Sequence, residues 1–433
     1  ELSGVRFANA AWGSQPWLAQ AGRVSADIDL RALFSGRLRI TSIAAEGASV
    51  LLETGPDGNG NWVMGSADAA APAWLKAPEI DEFTLEAFTF TYRNGATGEA
   101  TSVQFDLARF EGGSATQPVQ VSIRGSFHGK HMEAAGSVEA LAALSANEPP
   151  YPVNLDAKVG DMTAGVHGSV DRPRALDGFR LALRAQAPEF SEFVALLGST
   201  MAPIGPFRGA TQLTGTPAAP ILSMIDVEFG TPERMGLTAR GELEGSATAD
   251  GYAWQSNGVD LLLRGAQFGD LGQWVGKPLP ALGPYRIAAR MAGSAAAPGL
   301  SAIDAAIGGG RLLEIRLSGA VADPRAASGV DLKVAASAAD WWRPEAAGPR
   351  LPPFRASARV RDEKNGYRVD GLEIKIADSS VNASLQVARG GPRLRVTGKA
   401  VSPLIDLARV APRTGSEAAP VAAECRDDCV AHQ

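Results

Sequence analysis

The 433-residue sequence contains only two cysteines, Cys425 and Cys429, and both lie among its last ten residues. A disulfide framework for the rest of the chain is therefore excluded. The C-x3-C spacing leaves three interpretations open: two free thiols in a disordered end, a local disulfide, or a zinc site that would also need His432 and one further ligand. The lack of cysteine elsewhere is compatible with the periplasm.

Long apolar runs and clusters of positive charge are also missing. No apolar run approaches the roughly 18–20 residues that a transmembrane helix requires. The net charge is −6 and no basic cluster is present, so we expect no nucleic-acid partner. Residue 1 is Glu and residues 2–9 already have the pattern of a folded segment, so we expect a chain trimmed from a longer protein, without its targeting signals.

The common motifs of catalysis and metal binding are absent. The sequence has no G-x-S-x-G, P-loop, H-E-x-x-H or G-x-G-x-x-G motif, and only four histidines. Asp57, Asn59 and Asn61 resemble the opening of a calcium loop, but Trp62 replaces the required glycine and Asp68 the final glutamate. We therefore expect no enzyme, no metal and no cofactor, and interpret 55–61 as a turn, with a surface calcium ion as the alternative.

What the sequence does contain is a regular alternation of apolar and polar residues. With 49 Gly, 28 Pro and only 6% aromatic residues, it favours many short strands over long helices. Apolar residues recur at every second position, as in Val103, Phe105 and Leu107, a period typical of half-buried strands. Asp29 can cap one helical turn, and Asn94-Gly95 predicts a hairpin. The predicted fold is mainly β with short helices: a long antiparallel meander curled into an elongated, taco-like groove.

Internal repeats organise the second half of the chain. Pro203-Ile-Gly-Pro-Phe207 aligns with Ala281-Leu-Gly-Pro-Tyr285 at an offset of 285 − 207 = 78 residues, and a shorter third copy reaches Leu351-Pro-Pro-Phe354. The domains we predict are an amino-terminal unit at 1–70, a continuing meander at 71–176, repeated strand–helix–strand units over 177–411 (about 177–255, 256–325, 326–400 and the start of a fourth), and a disordered tail at 412–433.

One face of these strands is apolar and must be covered. A sheet folded on itself with a filled core would cover it; alternatively, the sheet forms a trough whose inner wall holds acyl chains. Our candidates for the lining of such a lipid groove are the inward positions of the alternating strands: Leu38, Ile40, Val50, Leu52, Leu181, Leu183, Val259, Leu261, Leu313, Ile315, Leu317, Val330, Leu332, Leu394 and Val396.

Several short motifs, in their order along the chain, resemble the AsmA family. In the first unit they are Ala8-Asn-Ala-x-Trp-Gly-Ser14, Asp29-Leu-x-x-Leu-x-x-Gly36 and Asp57-Gly-x-Gly-Asn-Trp62. The repeated helix, Gly-Pro-Phe/Tyr and Leu-Ser-x-Ile-Asp segments resemble the later part of the same family. The resemblance covers most of 1–411, and the third unit departs from it with Pro352-Pro353 and Trp341-Trp342.

The resemblance implies a periplasmic protein of a Gram-negative bacterium, anchored in the inner membrane by an amino-terminal helix that this chain lacks. It also implies a relation to chorein-type, bridge-like lipid-transfer proteins. The expected function is therefore non-enzymatic binding or conduction of phospholipids or other envelope lipids in outer-membrane biogenesis, with outer-membrane assembly components as further partners. The alternative is a structural assembly factor that acts on outer-membrane proteins through exposed strand edges.

Overall fold

The structure is a computed structural model, and it describes most of the chain. The described residues are 1–35, 39–55, 60–61, 79–95, 98–112, 117–140, 143, 150–173, 177–196, 200–201, 203–248, 251–294, 296–309, 313–339, 353–364, 366–388 and 395–404. Strands make up 73% and helical turns 6% of the structure, which confirms the predicted mainly β fold and its long antiparallel meander.

The chain divides into two compact units. Unit 1 comprises Glu1–Gly265 and Ala288–Gly299, and unit 2 comprises Ala266–Ile287 and Leu300–Gln433. The strands up to the division at Gly265 are β1 Leu2–Ala8, β2 Trp17–Ile28, β3 Arg39–Glu46, β4 Ser49–Glu53, β5 Glu79–Ile80, β6 Glu82–Arg93, β7 Ala100–Glu111, β8 Val119–Phe127, β9 Lys130–Val138, β10 Tyr151–Val159, β11 Met162–Arg172, β12 Asp177–Ala187, β13 Phe207–Gly215, β14 Pro220–Thr231, β15 Met235–Thr248 and β16 Gly251–Gly265.

The later strands continue the same pattern. They are β17 Tyr285–Ser294, β18 Pro298–Gly308, β19 Glu314–Asp323, β20 Ser328–Ala338, β21 Phe354–Glu363, β22 Gly366–Ile376, β23 Ser379–Ala388 and β24 Arg395–Leu404. From β6 to β16, and again from β18 to β24, each strand pairs antiparallel with the next one. Parallel pairs occur at the start, where β3 pairs with β5 and β6, and β4 pairs with β6.

The first unit begins with the predicted strand, short helix and strand. The helix Leu30–Phe34 lies between β2 and β3, and the Asp29 carboxylate accepts hydrogen bonds from the backbone N–H groups of Arg31 and Ala32, at 2.9 and 3.2 Å. These bonds satisfy donors that the first helical turn leaves without partners. The predicted hairpin joins β6 to β7, where Arg93 is paired with Ala100.

The 78-residue offset is visible in local hydrogen bonds as well as in the strands. The Phe190 N–H donates to the Gly205 carbonyl at 2.9 Å, and 78 residues later the Phe268 N–H donates to the Gly283 carbonyl at 2.8 Å. The same offset carries the helix Phe190–Leu196 onto the helical turns Phe268–Leu271 and Gly272–Val275, and β13 and β14 onto β17 and β18.

A glycine closes each of the first two copies in the same way. Gly230 and Gly308 have positive φ angles of 66° and 81°, and each donates its N–H to the proline carbonyl of its Gly-Pro segment at 2.7 Å. A Cβ at either position would lie 2.0 Å from a backbone carbonyl oxygen, so only glycine fits. In the third copy Ala377, with φ 49°, donates to the Pro353 carbonyl instead.

Candidate functional site

An apolar row runs across the sheet of unit 1. Residues that lie opposite each other in neighbouring strands share a face. Following the pairs from β1 to β16 through fourteen strands gives a row of apolar or glycine residues alone: Leu2, Val24, Ala45, Leu85, Ala108, Ile123, Ala134, Ala157, Ala164, Ala185, Gly209, Val227, Ala239 and Leu261. We call the face that carries this row the apolar face of unit 1.

The neighbouring row points the other way and is polar. Starting one residue along, the pairs give Ser25, Ala44, Thr84, Arg109, Ser122, Ala135, Asp156, Gly165, Arg184, Ala210, Asp226, Arg240 and Asp260. Some of its charges pair across strands, such as Arg240 with Asp226 at 3.0 Å. The sheet of unit 1 therefore has two chemically different faces, which we call apolar and polar.

Unit 2 has an apolar face of its own. The pairs from β18 to β24 give Ile303, Gly319, Leu332, Val360, Val369, Leu385 and Gly398. A parallel row four or five residues away contains Ile307, Ile315, Ala336, Ala356, Ile374 and Val381.

The register places the predicted lining residues on these faces. The predicted residues on the apolar face of unit 1 are Ile40, Val50, Leu52, Leu181, Leu183, Val259 and Leu261. Those on the apolar face of unit 2 are Ile315, Leu317, Val330, Leu332 and Val396. Leu313 immediately precedes β19, and Val396 is 49% exposed. Leu38 and Leu394 lie outside the described residues, as do Cys425 and Cys429.

The apolar faces are only half covered. Val259 is buried, at 3% exposure, and Val330 at 9%, but Leu181, Leu183, Leu261 and Leu332 are intermediate. Among the described residues, the buried apolar side chains are mostly alanine and valine; two are leucines, and none is Phe or Trp. A sheet packed against a second layer buries its large residues most deeply, so the described residues do not form a filled core of that kind.

Short helices cover one edge of the apolar face. The Phe190 ring lies 4.8 Å from the Phe207 ring and 4.7 Å from the Phe229 ring, centroid to centroid. In the second copy the Phe268 ring packs edge-on against Tyr285 at 6.0 Å. Glu189 ties the first helix to its loop by accepting the N–H groups of Ile204 and Gly205 at 2.9 and 3.0 Å.

A buried polar network in the first unit was missed by the sequence interpretation. We interpreted the Gly/Asn segment as a turn, but Asn61 is 2% exposed and bonded to three partners. Its amide donates to the Asn9 side-chain oxygen and to the Leu51 carbonyl, both at 2.9 Å, and its oxygen accepts the Glu53 N–H at 3.0 Å. The segment therefore contributes a side chain that completes the hydrogen bonding of β4.

Glu53 is the ionisable group of this network. Its carboxylate, with Glu53 only 3% exposed, accepts the Asn9 amide at 2.7 Å and the Ser14 N–H at 2.8 Å. Burial acts to raise the Glu53 pKa, but the hydrogen bonds from Ser14 and Asn9 outweigh it and hold the pKa below its ordinary value. The network contacts strands and loops of its own unit, so we assign it to stability.

Other site types find no support in the described part of the chain. Its residues contain no group of three or more His, Cys, Asp or Glu that could hold a metal ion. Asp57 and Asn59 of the calcium-like segment lie outside it. None of the helices described is both long and apolar enough to cross a membrane.

Comparison with known proteins gives no relative for this chain. No family profile, curated protein or solved structure matches it.

Proposed function

We propose that this chain is a non-enzymatic protein that binds or conducts lipids by holding their acyl chains along the apolar faces of its sheet. The observation that supports this most is the row from Leu2 to Leu261, to which each of fourteen strands contributes one apolar or glycine residue, while the large side chains of the same face stay half exposed. Apolar surface of this extent is rarely left to water. An acyl chain would bury it at about 0.8 kcal/mol per CH2 group.

The polar face supports the same proposal. Its charged side chains keep that side of unit 1 in water, so a lipid bound on the apolar side would be shielded by the sheet while its head group reached the edge. The resemblance to the AsmA family adds the setting that we propose: the periplasm of a Gram-negative bacterium, with an inner-membrane anchor in the full-length protein, phospholipids as cargo and outer-membrane biogenesis as the process.

The exposed end of unit 2 favours a second candidate, assembly through strand edges. In the described part of the chain β24 pairs only with β23, and its apolar residues Val401 and Leu404 are 68% and 55% exposed. A strand of this kind can accept another strand along its open edge. Under this alternative the partner is an outer-membrane protein or an assembly component rather than a lipid.

Native mass spectrometry of detergent-free protein tests the lipid proposal. We expect phospholipid to co-purify with the wild type and to be lost from Leu261→Asp, because a carboxylate on the apolar face would have to be desolvated beside an acyl chain. Leu262→Asp is the matched control, since Leu262 lies next in β16 on the polar face, opposite Thr238.

Retention of lipid by Leu261→Asp, or equal loss from both variants, would contradict the assignment of lipid to the apolar face. The absence of lipid from the wild type, together with capture of an unfolded outer-membrane protein that depends on β24, would favour the strand-edge alternative.

A further inference from the structure

The last strand described in unit 2, β24, has an open edge. In the described part of the chain it pairs only with β23, and each of its residues except Ser402 is exposed. It is ten residues long, so it is not one of the very short edge strands that discourage pairing with another chain. What this edge accepts depends on the side chains that it presents to an incoming strand.

The internal repeats show what covers the corresponding edge elsewhere in the same chain. Each repeat has four strands, β13–β16, β17–β20 and β21–β24, so β24 corresponds to β16 and β20. The strand that follows β16 begins with Tyr285-Arg286, and the strand that follows β20 begins with Phe354-Arg355. Both of these incoming strands therefore open with an aromatic residue and an arginine.

A salt bridge of the same sense crosses both of these joints between repeats. Asp260 of β16 bonds Arg290 of β17 at 3.1 Å, and Asp331 of β20 bonds Arg359 of β21 at 2.6 Å. Both arginines lie five residues after the aromatic residue that opens their strand. At these joints the last strand of a repeat supplies the acid and the incoming strand supplies the cation.

The charge on β24 is the opposite one. Arg395, Thr397 and Lys399 point away from the apolar face of unit 2, and they alternate with Val396 and Gly398, which lie on it. Neither β24 nor its neighbour β23 contains an acidic residue. Arg395 and Lys399 are both exposed, and neither has an ion pair with any residue that the structure describes.

The acids closest along the sheet are already bound by other arginines. Along the row of Arg395 the first acid is Glu363, three strands away, and its carboxylate lies 2.7 Å from Arg368. The row of Lys399 reaches the bulge of β22 that contains Asp370, whose carboxylate is bound by Arg361. The edge of β24 therefore presents two cations to an incoming strand and no acid.

We propose that the edge of β24 binds an extended segment of another protein in which apolar residues alternate with acidic ones. Backbone hydrogen bonds add the segment to the sheet as a further strand, and its apolar residues continue the apolar face of unit 2. Its acids lie opposite or diagonal to Arg395 and Lys399, where opposite charges stabilise strand pairing. This proposal rests on the strand-edge candidate for the function and is independent of lipid binding.

The same two cations act against a second copy of this chain as the occupant. The first strands of its repeats would bring arginines against Arg395 and Lys399, and like charges on facing strands are destabilising. The edge therefore favours one class of partner and disfavours self-assembly through the repeats.

Fluorescence anisotropy with two labelled ten-residue peptides tests this proposal. The control peptide has the sequence of β21, residues 354–363, and the test peptide differs only in having Glu in place of Arg355, Arg359 and Arg361. These three residues lie on the side of β21 away from the apolar face, so both peptides keep the same apolar pattern. At low salt we expect the acidic peptide to bind at least about tenfold more tightly, a difference of about 1.4 kcal/mol, and the preference should shrink as salt is added.

Charge reversal in the protein provides the decisive comparison. Lys399→Glu should reduce the preference for the acidic peptide by about threefold or more, and adding Arg395→Glu should reverse it. Lys333→Glu is the matched control, because Lys333 is an exposed cation on the same side of unit 2 but lies on β20, four strands away. It should change the preference by less than about twofold.

Hydrogen exchange locates the bound peptide and reports on folding. With the acidic peptide bound, the amides of β24 should exchange more slowly, while those of β1, an open edge strand among the described residues of unit 1, should not change. Exchange of β22 without peptide should be the same in the charge-reversed variants as in the wild type, which separates a binding defect from a folding defect.

The proposal is overturned if the acidic peptide shows no saturable binding, if both peptides bind equally, or if charge reversal leaves the preference unchanged. Tighter binding of the β21 peptide to the wild type would also contradict it and would favour a second copy of this chain as the occupant. Phospholipid is measured on protein without peptide, so failure of the lipid proposal and failure of this one are separate results.

Discussion

Replacing Asn61 tests the buried network that holds the first unit together. Asn61→Ala removes the only side chain placed to accept the Glu53 N–H and to donate to the Leu51 carbonyl, among the residues that the structure describes. Each buried backbone group left without a partner costs about 1–3 kcal/mol, so the two together should cost about 2–6 kcal/mol. The loss is expected in β4 and in the segment around Asn9, whose side-chain oxygen also loses the Asn61 amide.

The assay has to be local, because strands in a repetitive sheet contact mainly their neighbours and need not unfold in one step. Hydrogen exchange measured by mass spectrometry should show peptides that cover β4 exchanging about 30-fold faster or more, since each 1.4 kcal/mol corresponds to a factor of ten. Peptides from unit 2 should not change. Asn154→Ala is the control, because Asn154 is exposed on β10. An effect below about threefold in β4 would refute the role that we give to Asn61.

Three further predictions concern single side chains. Tyr285→Phe should stabilise the strand-end packing of β17 by about 1–2 kcal/mol, because the buried Tyr285 hydroxyl has no hydrogen-bond partner in the described residues. The repeats place Phe at the matching positions 207 and 354. Hydrogen exchange of β17 should therefore be slower than in the wild type, and faster exchange would contradict the prediction. The stability of unit 1 should fall as the pH drops below 4.5, because hydrogen bonds hold the pKa of Glu53 and of Glu189 below that ordinary value. The stabilisation from these carboxylates is present above pH 4.5 and is lost as each of them gains a proton in the folded state. A pH titration of urea unfolding that stays flat between pH 6 and pH 3 would speak against this prediction. Glu189→Ala should destabilise the helix that follows by about 1–2 kcal/mol, while Glu189→Gln should be tolerated. Gln267 accepts the Gly283 N–H at the matching position of the second copy, so a glutamine can make this bond. Equal effects of both substitutions on circular dichroism melting would count against a shared role of residues 189 and 267 in holding the loop.

The strands and their apolar face could be predicted because period-2 alternation is a local property of the sequence. The repeat was equally readable, since the Gly-Pro-Phe/Tyr segments fix the loop that returns the chain after each short helix. Leu181 and Leu261 share a face in the structure as parity and the repeat alignment suggested.

Bulges limit what parity alone can predict. Strict alternation places Leu107 on the same face as Val103 and Phe105, but the register shifts between Phe105 and Leu107, and Leu107 lies opposite Arg124 on the polar face. The apolar face continues through Ala108 instead. A bulge depends on the twist between neighbouring strands, which the local pattern does not contain.

One feature depends on contacts between distant residues and could not be predicted from the sequence. Asn9, Glu53 and Asn61 come together only because β1 and β4 both lie beside β2, so the Asn61 side chain was interpreted as part of a turn.

Photo-crosslinking along one strand shows whether lipid contacts the apolar face of unit 1. A benzophenone amino acid placed at each position from 180 to 185 of β12, in protein loaded with phospholipid, would report by mass spectrometry which side chains contact lipid. We expect lipid adducts at 181, 183 and 185, on the apolar face, and none at 180, 182 and 184. Adducts distributed equally over both parities, or adducts confined to the even positions, would contradict it.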